Sequence, residues 1–69
     1  MERYEYTVHD KRSGEHLVGL HESVGIFEFE RTDKPQRVYV TMDDMLRLLG
    51  RIERMTGRKV GCQEITTKW

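Results

Sequence analysis

The chain has 69 residues and a formal net charge of zero, from 12 basic and 12 acidic side chains. This length allows one domain, and the zero charge argues against a dedicated nucleic-acid binder, which normally carries a basic excess. A single cysteine excludes an internal disulfide and argues against a disulfide-stapled secreted mini-protein. No apolar run approaches the ~20 residues of a membrane span, and the first residues lead into polar alternation and not into a signal peptide, so we expect a cytoplasmic protein.

The first predicted elements are two β-strands on either side of the turn cluster 10–14, because apolar and polar residues alternate there with period two. A four-residue loop within this cluster places His9 opposite His16 and Tyr6 opposite Gly19. In that register the aromatic ring of Tyr6 covers a strand glycine on the core face of the sheet.

Two apolar residues of the second strand, Val18 and Leu20, lie on the other sheet face in this register. An exposed apolar pair needs cover, and a second copy of the sheet supplies it. A domain of this size also buries only ~60% of its unfolded surface, which favours a partner subunit. We therefore expect a homodimer.

A second pair of strands is predicted on either side of the turn 32–35, where Pro35 ends any ladder. The simplest hairpin pairs Phe29 with Val38 on the core face. The opposite face then pairs Glu30 with Arg37, and these opposite charges support the register by ~0.2–1 kcal/mol.

One amphipathic helix is predicted from Met42 to Thr56. Thr41 is a good N-cap, Gly57 is a plausible left-handed residue after the last turn, and Gly50 inside the helix lets a strand approach closely. The apolar stripe recurs at helical spacing and consists of Met45, Leu48, Leu49, Ile52 and Met55.

A last strand is predicted over residues 59–67, with Val60, Cys62 and Ile65 facing inward. The order is β-β-β-β-α-β, which predicts a single α+β domain with a mainly antiparallel sheet packed on one helix. The predicted core contains Tyr6, Val8, Leu17, Phe27, Phe29, Val38, Val40, Leu48, Leu49, Ile52 and Met55.

Four arginines form the main concentration of exposed chemistry. Arg47, Arg51, Arg54 and Arg58 recur at helical spacing, away from the apolar stripe. Asp43 is placed to pair with Arg47, whereas the other three have no acidic residue four positions earlier. A solvated face explains this pattern, and so does a partner-binding surface, because guanidinium groups bind carboxylates and phosphates bidentately.

The metal-ligating and nucleophilic residue types are sparse. His9 and His16 are predicted neighbours, His21 falls on the opposite face, and Cys62 is remote, so exposed strand histidines and a small inward thiol are favoured over a zinc site. The sequence contains none of the common catalytic motifs. One sheet and one helix also leave little volume for an enclosed pocket, which typically needs ~300 Å³.

These patterns predict a non-enzymatic interaction or regulatory protein, without cofactor or metal, that binds an acidic surface of a larger protein. Compact, highly charged chains of this kind are typical of small regulators and of inhibitors carried by phages or mobile elements. The alternative is a nucleic-acid-binding protein that uses the helix arginines. The third reading is a small enzyme or toxin.

Overall fold

A computed structural model describes residues 2–65. These residues confirm the α+β fold and the predicted order of elements, with one 3₁₀ turn added. Of the last predicted strand, residues 66 and 67 lie outside the described part of the chain. The elements are β1 (Tyr4–Asp10), β2 (His16–His21), the 3₁₀ turn (Glu22–Val24), β3 (Ile26–Glu30), β4 (Val38–Val40), α1 (Met42–Thr56) and β5 (Val60–Ile65).

Strand β1 is the centre of the sheet, and its two edges are used differently. At Tyr6, Val38 of β4 lies on one side and Glu64 of β5 on the other. At His9, the neighbour on the β5 side is Gly61, and the neighbour on the other side is His16 of β2. Strand β5 therefore follows β1 along one edge, while β4 and β2 share the opposite edge, each over part of its length. The pairing of His9 with His16 confirms the predicted first hairpin.

The predicted hairpin between β3 and β4 is wrong, as is the pairing of Tyr6 with Gly19. Strand β3 pairs with β2, so that Phe29 lies opposite Leu17, and β4 occupies the β1 edge that β2 has left. Residues 31–37 are long enough to make this crossing, and the N–H of Gln36 donates to the Leu17 carbonyl at 2.9 Å. This arrangement buries aliphatic and aromatic residues of β2, β3 and β4, and that burial contributes more than the solvent-exposed ion pair between Glu30 and Arg37 that the predicted hairpin would have formed.

A β-bulge at Val18 corrects the predicted faces of β2. From Leu17 to Gly19 the strand advances two residues while β3 advances one. The extra residue reverses the alternation that follows, so Leu20 packs against the core instead of the opposite face. The same reversal places His21 on the face of His16, contrary to the sequence prediction.

Helix α1 has the predicted ends. The Thr41 hydroxyl oxygen accepts a hydrogen bond from the Asp44 N–H at 3.2 Å. Gly57 has a φ of +75°, and its N–H donates to the Glu53 carbonyl at 2.9 Å. This left-handed closure satisfies a carbonyl of the last turn and stops the helix.

Most of the predicted core is confirmed, although Met55 is not part of it. The side chain of Met55 is 53% exposed and lies over Gly25. The prediction that Gly50 lets a strand approach the helix closely is also wrong, since a Cβ at this position would meet no atom within 4 Å. The buried core is Tyr6, Val8, Leu17, Val38, Met45, Leu48, Ile52 and Val60, with Leu20, Phe27, Phe29, Val40, Leu49 and Cys62 packed against it.

Candidate interaction surface

The arginines of α1 are exposed and only lightly held by the rest of the chain. The Arg47 side chain is 83% exposed, and its closest carboxylate is that of Asp44, with an N–O distance of 3.9 Å. Arg47 therefore pairs with Asp44, and not with Asp43 as predicted. Arg51 Nη2 donates to the Glu22 carbonyl at 3.1 Å, and the Arg54 side chain makes no ion pair or hydrogen bond within residues 2–65.

Arg58 has a different environment, and its assignment to the same helical face is wrong. The helix ends at Thr56, so helical spacing no longer fixes the direction of the Arg58 side chain. Its Nη1 lies 2.9 Å from Asp10 Oδ2 and 3.0 Å from Glu15 Oε1. Its guanidinium carbon also lies 4.5 Å from the ring centre of Phe29, which is cation–π geometry.

The pKa values of this cluster agree with its geometry. The N–H groups of Arg12 and Ser13 lower the pKa of the Asp10 carboxyl, and Arg58 lowers it further. The hydrogen bond from Arg58, followed by that from the Ser13 hydroxyl, lowers the pKa of Glu15. Arg58 therefore joins the β1–β2 hairpin to the segment between α1 and β5, and two carboxylates neutralise its charge.

An open groove of about 1000 Å³ runs beside the exposed helix arginines. Part of its lining is apolar and comes from β2, β4 and α1, namely Leu20, Val38, Val40 and Leu48. The groove follows from the shared edge of β1, because β2 turns away after its bulge while β4 takes the vacated position. Arg47, Arg51 and Arg54 contribute basic side chains to the same groove.

Three more apolar side chains are exposed around the 3₁₀ turn, at one end of the groove. Val24, Ile26 and Met55 are each more than half exposed. Met55 touches Gly25 between the other two, and the bond from Arg51 to the Glu22 carbonyl holds the turn against the helix. We call Val24, Ile26 and Met55 the turn patch. Apolar and guanidinium groups thus adjoin on one side of the molecule.

The histidines and the cysteine do not form a comparable site. The rings of His9 and His16 have centroids 6.2 Å apart, and His16 Nδ1 is buried without a hydrogen-bond partner. Among residues 2–65, no three His, Cys, Asp or Glu side chains are grouped so that they could hold a metal ion. Burial raises the pKa of the Cys62 thiol, which disfavours the nucleophilic thiolate.

No protein-family model, curated protein or solved structure matches the chain. Among residues 2–65, the structure has no helix with the length and apolar character needed to cross a membrane.

The groove is the feature of the candidate surface that the sequence did not predict. Its apolar part needs Leu20 on the core face and β4 beside β1, and both follow from the bulge and the crossing described above. A bulge at Val18 has no distinct signal in the alternation of β2. The crossing has one weak signal, because residues 31–37 form a connection longer than a tight hairpin needs.

Proposed function

We propose that this protein is a non-enzymatic interaction protein that binds an acidic surface of a larger protein through Arg47, Arg51 and Arg54. The observation that supports this most directly is the contrast in their surroundings. Two carboxylates lie within 3.0 Å of the Arg58 guanidinium, whereas Arg47 has one longer contact with Asp44 at 3.9 Å, and Arg51 and Arg54 have no ion pair among residues 2–65.

The hydrogen-bonding capacity of these arginines supports recognition of carboxylates. A guanidinium carries five N–H donors, and Arg51 uses one of its side-chain nitrogens on a backbone carbonyl. The nearest carboxylate to Arg47 lies beyond hydrogen-bonding distance. An acidic protein surface offers paired oxygen acceptors to these donors.

The composition of the surface also supports a protein partner. Protein interfaces are enriched in arginine, methionine and aromatic residues and combine an apolar centre with a polar rim. Here the groove and the turn patch supply apolar area beside three arginines. Phosphate binding by the same arginines remains the alternative, but the net charge of zero gives it less support.

The test is affinity capture from the native host with the double charge reversal Arg51→Glu and Arg54→Glu. We expect the reversed protein to lose the captured protein, because truncation of an interface hot spot alone costs ~2 kcal/mol or more. Arg31→Glu is the matched control, since Arg31 is exposed in the loop after β3 and does not line the groove. Melting temperatures of all variants separate lost binding from lost folding.

Nuclease treatment distinguishes the two kinds of partner. A protein partner survives nuclease, whereas capture that disappears with nuclease and falls steeply with salt identifies a nucleic-acid binder. Unchanged capture by the folded, charge-reversed protein would contradict both, and the arginines would then be a solvated face.

The expected homodimer and the regulatory setting remain predictions. Leu20, one of the two apolar residues behind the dimer prediction, packs partly buried against the core and so gives less reason for a second copy to cover it. Sedimentation equilibrium at micromolar concentration measures the subunit number. A cytoplasmic inhibitor carried by a phage or mobile element is the setting we infer for a binding protein of this size.

A further inference from the structure

We propose that the groove receives a bulky apolar side chain from an acidic segment of the partner, while neighbouring carboxylates of that segment pair with Arg47, Arg51 and Arg54. This inference rests on the proposed function and specifies the chemistry of the partner. An arginine face alone requires only negative charge. The groove adds a requirement for an apolar side chain at the same site.

The apolar lining of the groove supports this requirement. Leu20 is partly buried against the core, and Leu48 and Val38 are mostly buried but still contribute to the groove surface. Covering such surface with an apolar side chain removes it from water at a gain of about 25 cal/mol per Å². A volume of about 1000 Å³ accommodates a side chain as large as leucine or phenylalanine together with part of its backbone.

The charges around the groove determine the sign of the partner. Two acidic residues that line it are already engaged, since Asp44 is the closest carboxylate to Arg47 and Glu53 Oε2 accepts a hydrogen bond from the Val60 N–H at 3.2 Å. The third, Glu22, lies at the end where the turn patch supplies apolar contacts. The helix side therefore offers Arg51 and Arg54 without a carboxylate partner among residues 2–65, and Arg47 with only a 3.9 Å contact, and carboxylates are the complement of these guanidinium groups.

The turn patch gives the segment a second apolar contact beyond the groove. Val24 is 66% exposed, and Met55 is a flexible side chain that adapts to the shape of a partner. A segment with two apolar residues on one face can place one in the groove and the other on the turn patch. Acidic residues beside them can then pair with the helix arginines. An amphipathic acidic helix has this arrangement, and helices of this kind bind apolar grooves in other proteins.

The experiment selects peptides from a random 12-residue display library on the folded wild-type protein. We expect enrichment of peptides that combine aspartate or glutamate with leucine, phenylalanine or tryptophan. A selected peptide is then titrated into isotope-labelled wild-type protein. The backbone amide signals of Leu20, Val38 and Leu48 should shift, whereas those of Gln63 and Glu64 on the β5 edge should not.

Two variants separate this inference from the proposed function. We expect Leu20→Gln and the charge reversal Arg54→Glu each to lower the affinity for the selected peptide by about tenfold or more. Arg31→Glu is the control and should leave the affinity unchanged. The wild-type titration tests the site even if Leu20→Gln fails to fold.

The outcomes distinguish the two claims. If Arg54→Glu weakens binding while Leu20→Gln does not, and the groove amides stay unshifted, the arginine surface remains and the groove proposal is overturned. Selection of basic or uncharged peptides, or of acidic peptides insensitive to Arg54→Glu, overturns the proposed function as well.

Discussion

The two arginine environments of this molecule differ in what the fold places opposite them. Around Arg58, the β1–β2 hairpin brings Asp10 and Glu15 together, and the segment between α1 and β5 carries the guanidinium to both. Around the α1 arginines, the groove leaves space where a packed strand would otherwise lie. Arginines at helical spacing in the sequence thus form a structural ion pair at one position and exposed guanidinium groups at the other three.

The largest difference in stability should come from Arg58→Ala. This change leaves Asp10 buried without its guanidinium partner and removes the contact with Phe29. We expect the melting temperature to fall by about 5 °C or more, since ~1 kcal/mol corresponds to roughly 4–8 °C in a domain of this size. Differential scanning calorimetry measures it, with Arg54→Ala as the matched control. Equal melting temperatures for the two variants would remove the distinction between the regions.

Acid should reveal the same difference. The folded pKa values of Asp10 and Glu15 lie below their ordinary values of 3.8 and 4.5. Their contribution to stability is therefore present above about pH 4.5 and is lost as the pH falls through the folded values. We expect Arg58→Ala to lose less stability than wild type between neutral pH and about pH 3, because the pKa of Glu15 returns toward its ordinary value.

Urea denaturation at several pH values measures this effect. Asp10 should keep part of its acid sensitivity in the variant, because the N–H groups of Arg12 and Ser13 still bind it. Parallel pH dependences for wild type and variant would show that Arg58 does not carry the effect. Arg54→Ala should retain the wild-type dependence.

A smaller effect is expected at Gly50, on the exposed side of α1. An added Cβ meets no atom within 4 Å, so Gly50→Ala should raise the free energy of unfolding by up to ~1 kcal/mol through helix propensity. Chemical denaturation measures this change. A decrease would mean that this side of the helix has a contact within the chain, contrary to the open surface described here.

The sequence predicted the elements that local signals define. Thr41, Gly57 and the apolar stripe define α1, and the short turn cluster after β1 defines the pairing of His9 with His16. It did not predict which strand takes each edge of β1, because that choice depends on burial shared among β2, β3 and β4.

The candidate site shows the same division. Arg47, Arg51 and Arg54 could be placed on one face from helical spacing alone, whereas Arg58 could not be placed once the helix had ended. The groove beside them depends on the bulge at Val18, which two-residue alternation does not indicate. Long-range strand pairing thus determined the part of the site that local periodicity left undetermined.

The smallest effect on stability is expected for the exposed arginines themselves. Arg47→Ala and Arg54→Ala should each change the free energy of unfolding by less than about 0.5 kcal/mol, as exposed substitutions without a close partner usually do. Urea unfolding of the two variants measures this. A loss several times larger would mean that the helix arginines stabilise the fold.

A comparison of Arg54→Ala with Arg58→Ala decides whether the helix arginines bind the partner, with the melting temperature and the affinity for the partner captured by the wild-type protein measured for each variant. We expect Arg54→Ala to keep the melting temperature and lose affinity, whereas Arg58→Ala should lower the melting temperature and, below its unfolding transition, keep the affinity. The opposite pattern, or affinity lost only with Arg58→Ala, would contradict the assignment of binding to the helix arginines.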